Sequence, residues 1–370
     1  MNLLILDMDG VLIDVTRSYR KTIRQTVRIY LETCLGFKMG KRGPISEEDI
    51  TLFKSVGGFN NDWDLTSGLL LYLLSISGLP PSKRKKRFSS MEEGAFHLKK
   101  RSSRFPRNVT RLFQKKKLPP FIKEVKSLGG GLKGVLQTSA GSWDGWVYRS
   151  SGLDKGNLVQ RIFQEVYLGT RFASHYHLPP LFYRGKGLYL QERLLVPRKI
   201  LSSLRQKIKM GIASGRPRFE AELALNRFRL LPYFNSVVTL DECTEEEFRV
   251  FRSAGRRVKF SKPHPYSLLR VIREIGIPAP RCGYVGDVVD DILAAQAVKK
   301  KFPMLAIGFL SSKKQRKALK ESLLKAGADL LIENPKDLLR LIDCPRIGAD
   351  KDLYSLSLER LCRNMKEPTL

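Results

Sequence analysis

From about residue 198 onward, apolar residues fall into short continuous runs separated by longer stretches with helical spacing. Residues 208–213, 237–240, 282–285, 304–309 and 329–332 read as strands. The stretches 218–229, 266–275, 289–298 and 313–326 read as helices. Thr244 followed by Glu247 has the form of a capping box opening a further helix. Alternation of this kind predicts a parallel sheet with helices on both faces. The N-terminal run Leu3-Leu4-Ile5-Leu6 has no other apolar partner of its own kind, so it belongs to the same sheet. The fold class is therefore α/β: a doubly wound, Rossmann-like parallel sheet whose core is discontinuous, comprising residues 1–15 and 198–345. Residues 16–197 are an insertion after the first strand.

The insertion reads as mainly helical. Ile23, Val27, Tyr30, Leu31 and Cys34 or Leu35 recur at helical spacing within 16–35, and Gly36 ends the pattern. Ser46 followed by Glu47, Glu48 and Asp49 has the form of a helix start. The apolar stretch 65–78 reads as a buried helix, and 156–172 and 188–206 as further helical segments. Ahead of the apolar helix, Gly57 to Asp64 leaves two readings open: a capped loop, or a loop that touches substrate. Residues 82–117 crowd lysine and arginine among serines and prolines, against only Glu92 and Glu93. Like charges repel and resist packing, so this segment is expected to be mobile. Gly129-Gly130-Gly131 reads as a flexible connection, and the tail 346–370 as loosely held.

Net charge changes the picture. The 370 residues carry +31, a balance that favours contact with anions such as nucleic acid, anionic lipid or phosphorylated metabolites. A lysine-rich surface kept for solubility is the other reading. Within 82–117, Phe88, Phe96, Phe105 and Phe113 would be available to stack on bases. Five scattered cysteines and four histidines show no metal-ligand spacing, which argues against zinc and fits a reducing compartment. The N-terminal run is interrupted by Asp7 and Asp9 and lacks a preceding basic segment, so it is not expected to act as a signal peptide. The stretch 68–79 is too short to span a bilayer. The expectation is a cytoplasmic protein without membrane contact.

The candidate chemistry sits where the pattern ends its strands. Asp7 and Asp9 follow the first run, and period-two alternation would put both on one side. Gly10 then permits a sharp departure. Ser214 and Gly215 follow the second strand at a helix start, where a hydroxyl and amides can hold phosphate. Lys262 precedes the helix at 266, and Gly286-Asp287 with Asp290 and Asp291 follows a later strand. Singly, each has an ordinary reading as a turn, a cap or a solvated lysine. Together they lie on the sheet edge where ligands bind, and their carboxylates suit a hard cation such as magnesium.

In this order the motifs resemble the haloacid dehalogenase-like hydrolase superfamily. The resemblance is carried by Asp7-Met8-Asp9-Gly10-Val11, Ser214-Gly215-Arg216, Lys262-Pro263, and Gly286-Asp287 with Asp291. The insertion resembles that family's helical cap, in a branch similar to phosphoglycolate phosphatase that also includes phosphomutases and dehalogenases. The resemblance implies that Asp7 is a nucleophile forming an aspartyl-phosphate and Asp9 the general acid and base. It implies that Ser214, Gly215 and Arg216 bind phosphate and that Lys262 balances charge. It further implies a magnesium ion held by Asp7, the backbone carbonyl of Asp9 and Asp287, with Asp291 acting directly or through water. Cap residues choose the substrate in this family; Arg17, Arg20, Asn60, Asn61 and Asp62 are the candidates here. The implied activity is hydrolysis of a small phosphorylated metabolite, either phosphoglycolate-like or a sugar phosphate. A phosphomutase similar to beta-phosphoglucomutase uses the same motifs. A dehalogenase would need neither the metal nor Asp9. From a different class, the same fold would contact nucleic acid or another polyanion through 82–117.

Overall fold

The computed structural model describes residues 1–343 except 42, 60, 106–108, 115–116, 151, 155, 279 and 311–315. The chain divides into two compact units, one of residues 1–14 with 193 onward, the other Val15–Glu192. The tail 346–370 lies outside the described residues.

The first unit contains β1 (Leu3–Leu6), β2 (Ile13–Asp14), β3 (Arg193–Leu194), β4 (Lys209–Ala213), β5 (Ser236–Val238), β6 (Cys282–Gly286), β7 (Met304–Phe309) and β8 (Leu330–Ile332). Six of them form one sheet in the order β5-β4-β1-β6-β7-β8. All its pairings are parallel. All four residues of β1 are fully buried, because helices cover both faces of such a sheet. Leu3 and Ile5 share a core with Leu268 and Val271 of helix Tyr266–Ile275 and Ile292 and Ala295 of helix Val289–Lys299. Each of these leucine, isoleucine and valine side chains contributes roughly 1.5–3 kcal/mol on burial. The chain moves outward from β1 through β4 to β5, then crosses to β6 and moves outward the other way. The strand order therefore reverses between β1 and β6, and the crevice beyond their carboxyl ends is where such sheets bind ligands. β2 pairs antiparallel with β3, Ile13 opposite Leu194, at the two points where the chain leaves and re-enters this unit.

One capping expectation is corrected. The capping box belongs to Thr239 and Glu242, and helix Leu240–Ala254 already contains Thr244 and Glu247. β5 ends at Val238, so the earlier threonine is the first residue able to cap. Thr244 Oγ instead donates to the Leu240 carbonyl.

The second unit is helical. Helix Asp62–Ser75 is buried continuously from Leu65 to Leu74, and helix Tyr19–Ile29 packs against it. Its core explains two further corrections. Much of 82–117 is ordered: Ser90 caps helix Met91–Ser103, which buries Met91, Ala95 and Leu98 on one face. Phe113 is buried and Phe88 packs at a tilt against Tyr148, while Phe96 is 69 % exposed. Likewise Gly131 opens helix Gly131–Gln137 rather than a flexible connection. A Cβ at Gly131 would lie 2.2 Å from the Gly58 carbonyl, so the glycines permit two backbones to touch. Among the described residues no helix is long and apolar enough to cross a membrane.

Candidate active site

The first unit gathers the acids at the switch point. The Asp7 amide donates to Val285 O at 2.9 Å, extending the β1–β6 pairing one residue past β1. This leaves Asp7 buried at the sheet edge. Gly10 has φ +76, and a Cβ there would stand 1.9 Å from Asp287 Oδ2. The glycine thus serves both the turn and the approach of a second carboxylate.

Lys262 reaches into this cluster. Its Nζ lies 2.7 Å from Asp7 Oδ1, 2.6 Å from Asp291 Oδ1 and 2.9 Å from the Tyr284 hydroxyl. The Tyr284 hydroxyl donates to Asp291 Oδ1 at 2.8 Å. Asp291 Oδ2 accepts the amides of Asp287 and Val288 at 3.1 and 3.2 Å. Asp291 therefore fixes the turn that carries Asp287 as well as facing Lys262. Carboxylate oxygens of Asp7, Asp287 and Asp291 all lie within 4.8 Å of one another. Burial raises the Asp7 pKa to about 7; Lys262 opposes this, and the charges of Asp291 and Asp9 add to it. Burial alone would lower Lys262, but Asp291 and Asp7 outweigh it and hold the ammonium well above the ordinary lysine value. Three acids facing one lysine suit an additional cation, and an all-oxygen donor set suits magnesium.

At the end of β4, the Ser214 amide donates to Val238 O at 2.9 Å, and Ser214 Oγ accepts the Arg216 amide at 3.1 Å. Gly215 lies between them at the start of the loop. The expectation for Arg216 needs correcting. Its guanidinium is buried and held on Asp9, with Nε 2.7 Å and Nη2 2.6 Å from Asp9 Oδ1. A cation committed to a carboxylate is a holder of Asp9 rather than an open phosphate ligand. Nothing in Asp9 or Arg216 alone signals a pair 207 residues apart. Tyr284 was also missed, although a phenol inside the buried strand Cys282–Gly286 needs a polar partner and so carries a signal.

The cap candidates belong to the second unit. Arg20 Nη1 donates to Thr51 Oγ1 at 2.8 Å, and Lys54 Nζ pairs with Asp62 at 3.1 Å. Asn61 caps helix Asp62–Ser75, its Oδ1 accepting the Asp64 amide at 2.7 Å. Of the two readings of this loop, the cap is the one these bonds describe. Asn60 lies outside the described residues, and Arg17 is exposed.

Residues 184–299, the segment that carries Ser214, Lys262, Asp287 and Asp291, match the family model described as haloacid dehalogenase-like hydrolase. That match covers just under a third of the chain. Among curated proteins, the chain is 23 % identical over 320 residues to an imidazoleglycerol-phosphate dehydratase of Phytophthora nicotianae, a match covering 86 % of this chain and 45 % of that one. It is 29 % identical over 92 residues to an uncharacterized protein of Haemophilus influenzae, covering 25 % of this chain and 38 % of the relative. The chain thus spans less than half the length of either relative. Among solved structures, an X-ray structure of a Northeast Structural Genomics Consortium target superposes with a TM-score of 0.58 at 19 % identity, covering 93 % of this chain and 98 % of that one. That likeness is one of fold.

Proposed function

We propose that this protein is a haloacid dehalogenase-like hydrolase, a magnesium-dependent phosphatase that releases phosphate from a small phosphorylated metabolite. The observation that carries the reading is the cluster of buried Asp7 and Asp291 with half-buried Asp287, and Lys262 set between Asp7 and Asp291. A carboxylate that attacks phosphorus must be ionised and must approach an anion. Lys262 favours the ionised form of Asp7 and offsets charge on the phosphoryl group. A magnesium ion would be held by Asp7, Asp287, Asp291 and the Asp9 backbone carbonyl, and would supply Lewis-acid stabilisation of the transferring phosphoryl oxygens.

In the first step an Asp7 oxygen bonds to phosphorus, and the bond from phosphorus to the ester oxygen breaks. Asp9 gives that oxygen its proton. The product is an aspartyl-phosphate on Asp7 and a free alcohol. In the second step Asp9 takes a proton from water, which attacks phosphorus and regenerates Asp7 with inorganic phosphate. The Ser214 hydroxyl and Gly215 amide hold phosphoryl oxygens through both steps. Arg216 keeps the Asp9 carboxylate in place.

The deciding experiment is phosphate release from a panel of phosphorylated metabolites with and without magnesium. Chelation with EDTA is expected to lower turnover at least ~100-fold, with magnesium restoring it. Equal turnover in EDTA would overturn the metal assignment. Arg216→Ala is expected to lower kcat by roughly 10- to 100-fold, within the range general acid–base help supplies. Arg216→Lys should recover only part of this, because lysine lacks the planar fork. Comparing kcat and KM for both variants on p-nitrophenyl phosphate checks this; a change in KM alone would return Arg216 to phosphate binding.

A further inference from the structure

The second unit contains a cavity of about 440 Å³ that the proposed chemistry does not use. Arg17, Lys21, Arg24, Arg28 and Lys41 line it, and Glu47 is the one carboxylate in its wall, so its lining side chains carry a net +4. The sequence builds this. Lys21, Arg24 and Arg28 recur at helical spacing on helix Tyr19–Ile29, with Arg17 in the turn before it. Tyr19, Ile23 and Val27 of the same helix are buried, which leaves the cations on its outer face. Lys41 comes from the following loop.

These cations are arranged rather than merely crowded. Arg24 Nε donates to Ile45 O at 3.1 Å, Arg28 Nε to Glu32 at 3.0 Å, and Lys21 Nζ to Gln191 at 3.4 Å. The Arg24–Glu47 pair is 3.9 Å apart with both side chains about half exposed, so it neutralises little. Among the described residues no ion pair is seen to Arg17, Lys21 or Lys41. Like charges at such spacing on a helix oppose one another. A bound polyanion relieves that repulsion. From Lys21 to Arg28 the row spans roughly 10 Å at helical rise, more than one phosphate can engage. The volume lies within the range of small-molecule sites, about 300–1,000 Å³.

We infer that this cavity binds a small molecule bearing at least two phosphate groups. The inference is tested apart from the proposed hydrolysis, because its readout is binding of a probe and not release of phosphate.

The test is calorimetric titration of the full chain with methylenediphosphonate, a probe that phosphatase chemistry does not cleave at its P–C–P link. Wild type is expected to show saturable binding that weakens several-fold between about 50 and 200 mM salt. The triple variant Lys21→Gln, Arg28→Gln, Lys41→Gln should weaken binding at least ~10-fold, as expected when three charge-assisted contacts are lost. An unchanged isotherm in that variant, or no saturable heat from wild type at millimolar probe, overturns the inference. Should circular dichroism show the triple variant misfolded, Lys41→Glu replaces it. That exposed loop change is expected to weaken binding at least ~3-fold, and no effect counts against the site. A single-stranded oligonucleotide forms a parallel arm. Variant-sensitive binding of the oligonucleotide without binding of the bisphosphonate also overturns the small-molecule assignment.

Discussion

Asp7→Asn is expected to lower phosphate release by at least ~10⁴-fold, because it removes the nucleophile while leaving binding groups in place. The same change is expected to leave the fold intact, and the sign of its stability effect follows from burial. Asp7 titrates in the folded chain at about 7, well above its ordinary value of 3.8. Its ionised form is therefore disfavoured by folding. Between those two pH values the unfolded chain releases a proton that the folded chain keeps, so this group's contribution to stability falls as pH rises and levels off above about 7. A neutral amide escapes that penalty. In metal-free buffer, Asp7→Asn should melt no lower than wild type at pH 5 and higher at pH 8. Thermal melts at the two pH values, alongside phosphate-release assays, check both halves. Turnover close to wild type, after purification away from contaminating phosphatases, would remove Asp7 as nucleophile.

The largest stability effect is expected at Lys262. Lys262→Met keeps much of the side-chain bulk but leaves Asp7 and Asp291 facing each other without their shared ammonium. Breaking a buried pair from one side costs about 3–5 kcal/mol, because the remaining charge is desolvated and uncompensated. The deficit should shrink on acidification, as protonation neutralises the stranded acids, and should be greatest near pH 8. Adding Asp291→Asn to Lys262→Met should recover part of the loss, since it removes one stranded charge. Urea unfolding of the two single variants and the double variant at pH 5 and pH 8 measures the coupling. Additive losses would show that Lys262 and Asp291 do not act together. Turnover by Lys262→Met should fall by roughly 10²–10³, the scale of removing one preorganised electrostatic contact.

How readable these features were depends on how local their signals are. The strands of the sheet were legible because each is a short apolar run, and some are closed by glycine or acid, as in Leu3–Leu6 before Asp7 and Cys282–Gly286 before Asp287. The acid cluster and Lys262 were legible for the same reason: strand ends in a parallel sheet share one edge. The Asp9–Arg216 pair was not, because each side chain has an adequate local reading and only the fold brings them together. The helix at Met91–Ser103 was hidden by its charge. Met91, Ala95 and Leu98 show helical spacing, but the flanking lysine and arginine runs suggested a segment unable to pack. Gly58 and Gly131 illustrate the same limit from the other side: either glycine reads as flexibility, and only together do they make a close backbone contact.

The central place of β1 has a consequence for the order of folding. Its Leu3 pairs with Lys209 on one side and Cys282 on the other, so β1 has no partner in the sheet until more than two hundred residues have followed it. At ordinary synthesis rates of about 5–20 residues per second, that wait is on the order of ten to forty seconds. The insertion is contiguous from Val15 to Glu192 and needs no later chain to complete its own core. It can therefore fold during the interval, while the strand that bears the nucleophile waits for the sheet to form around it.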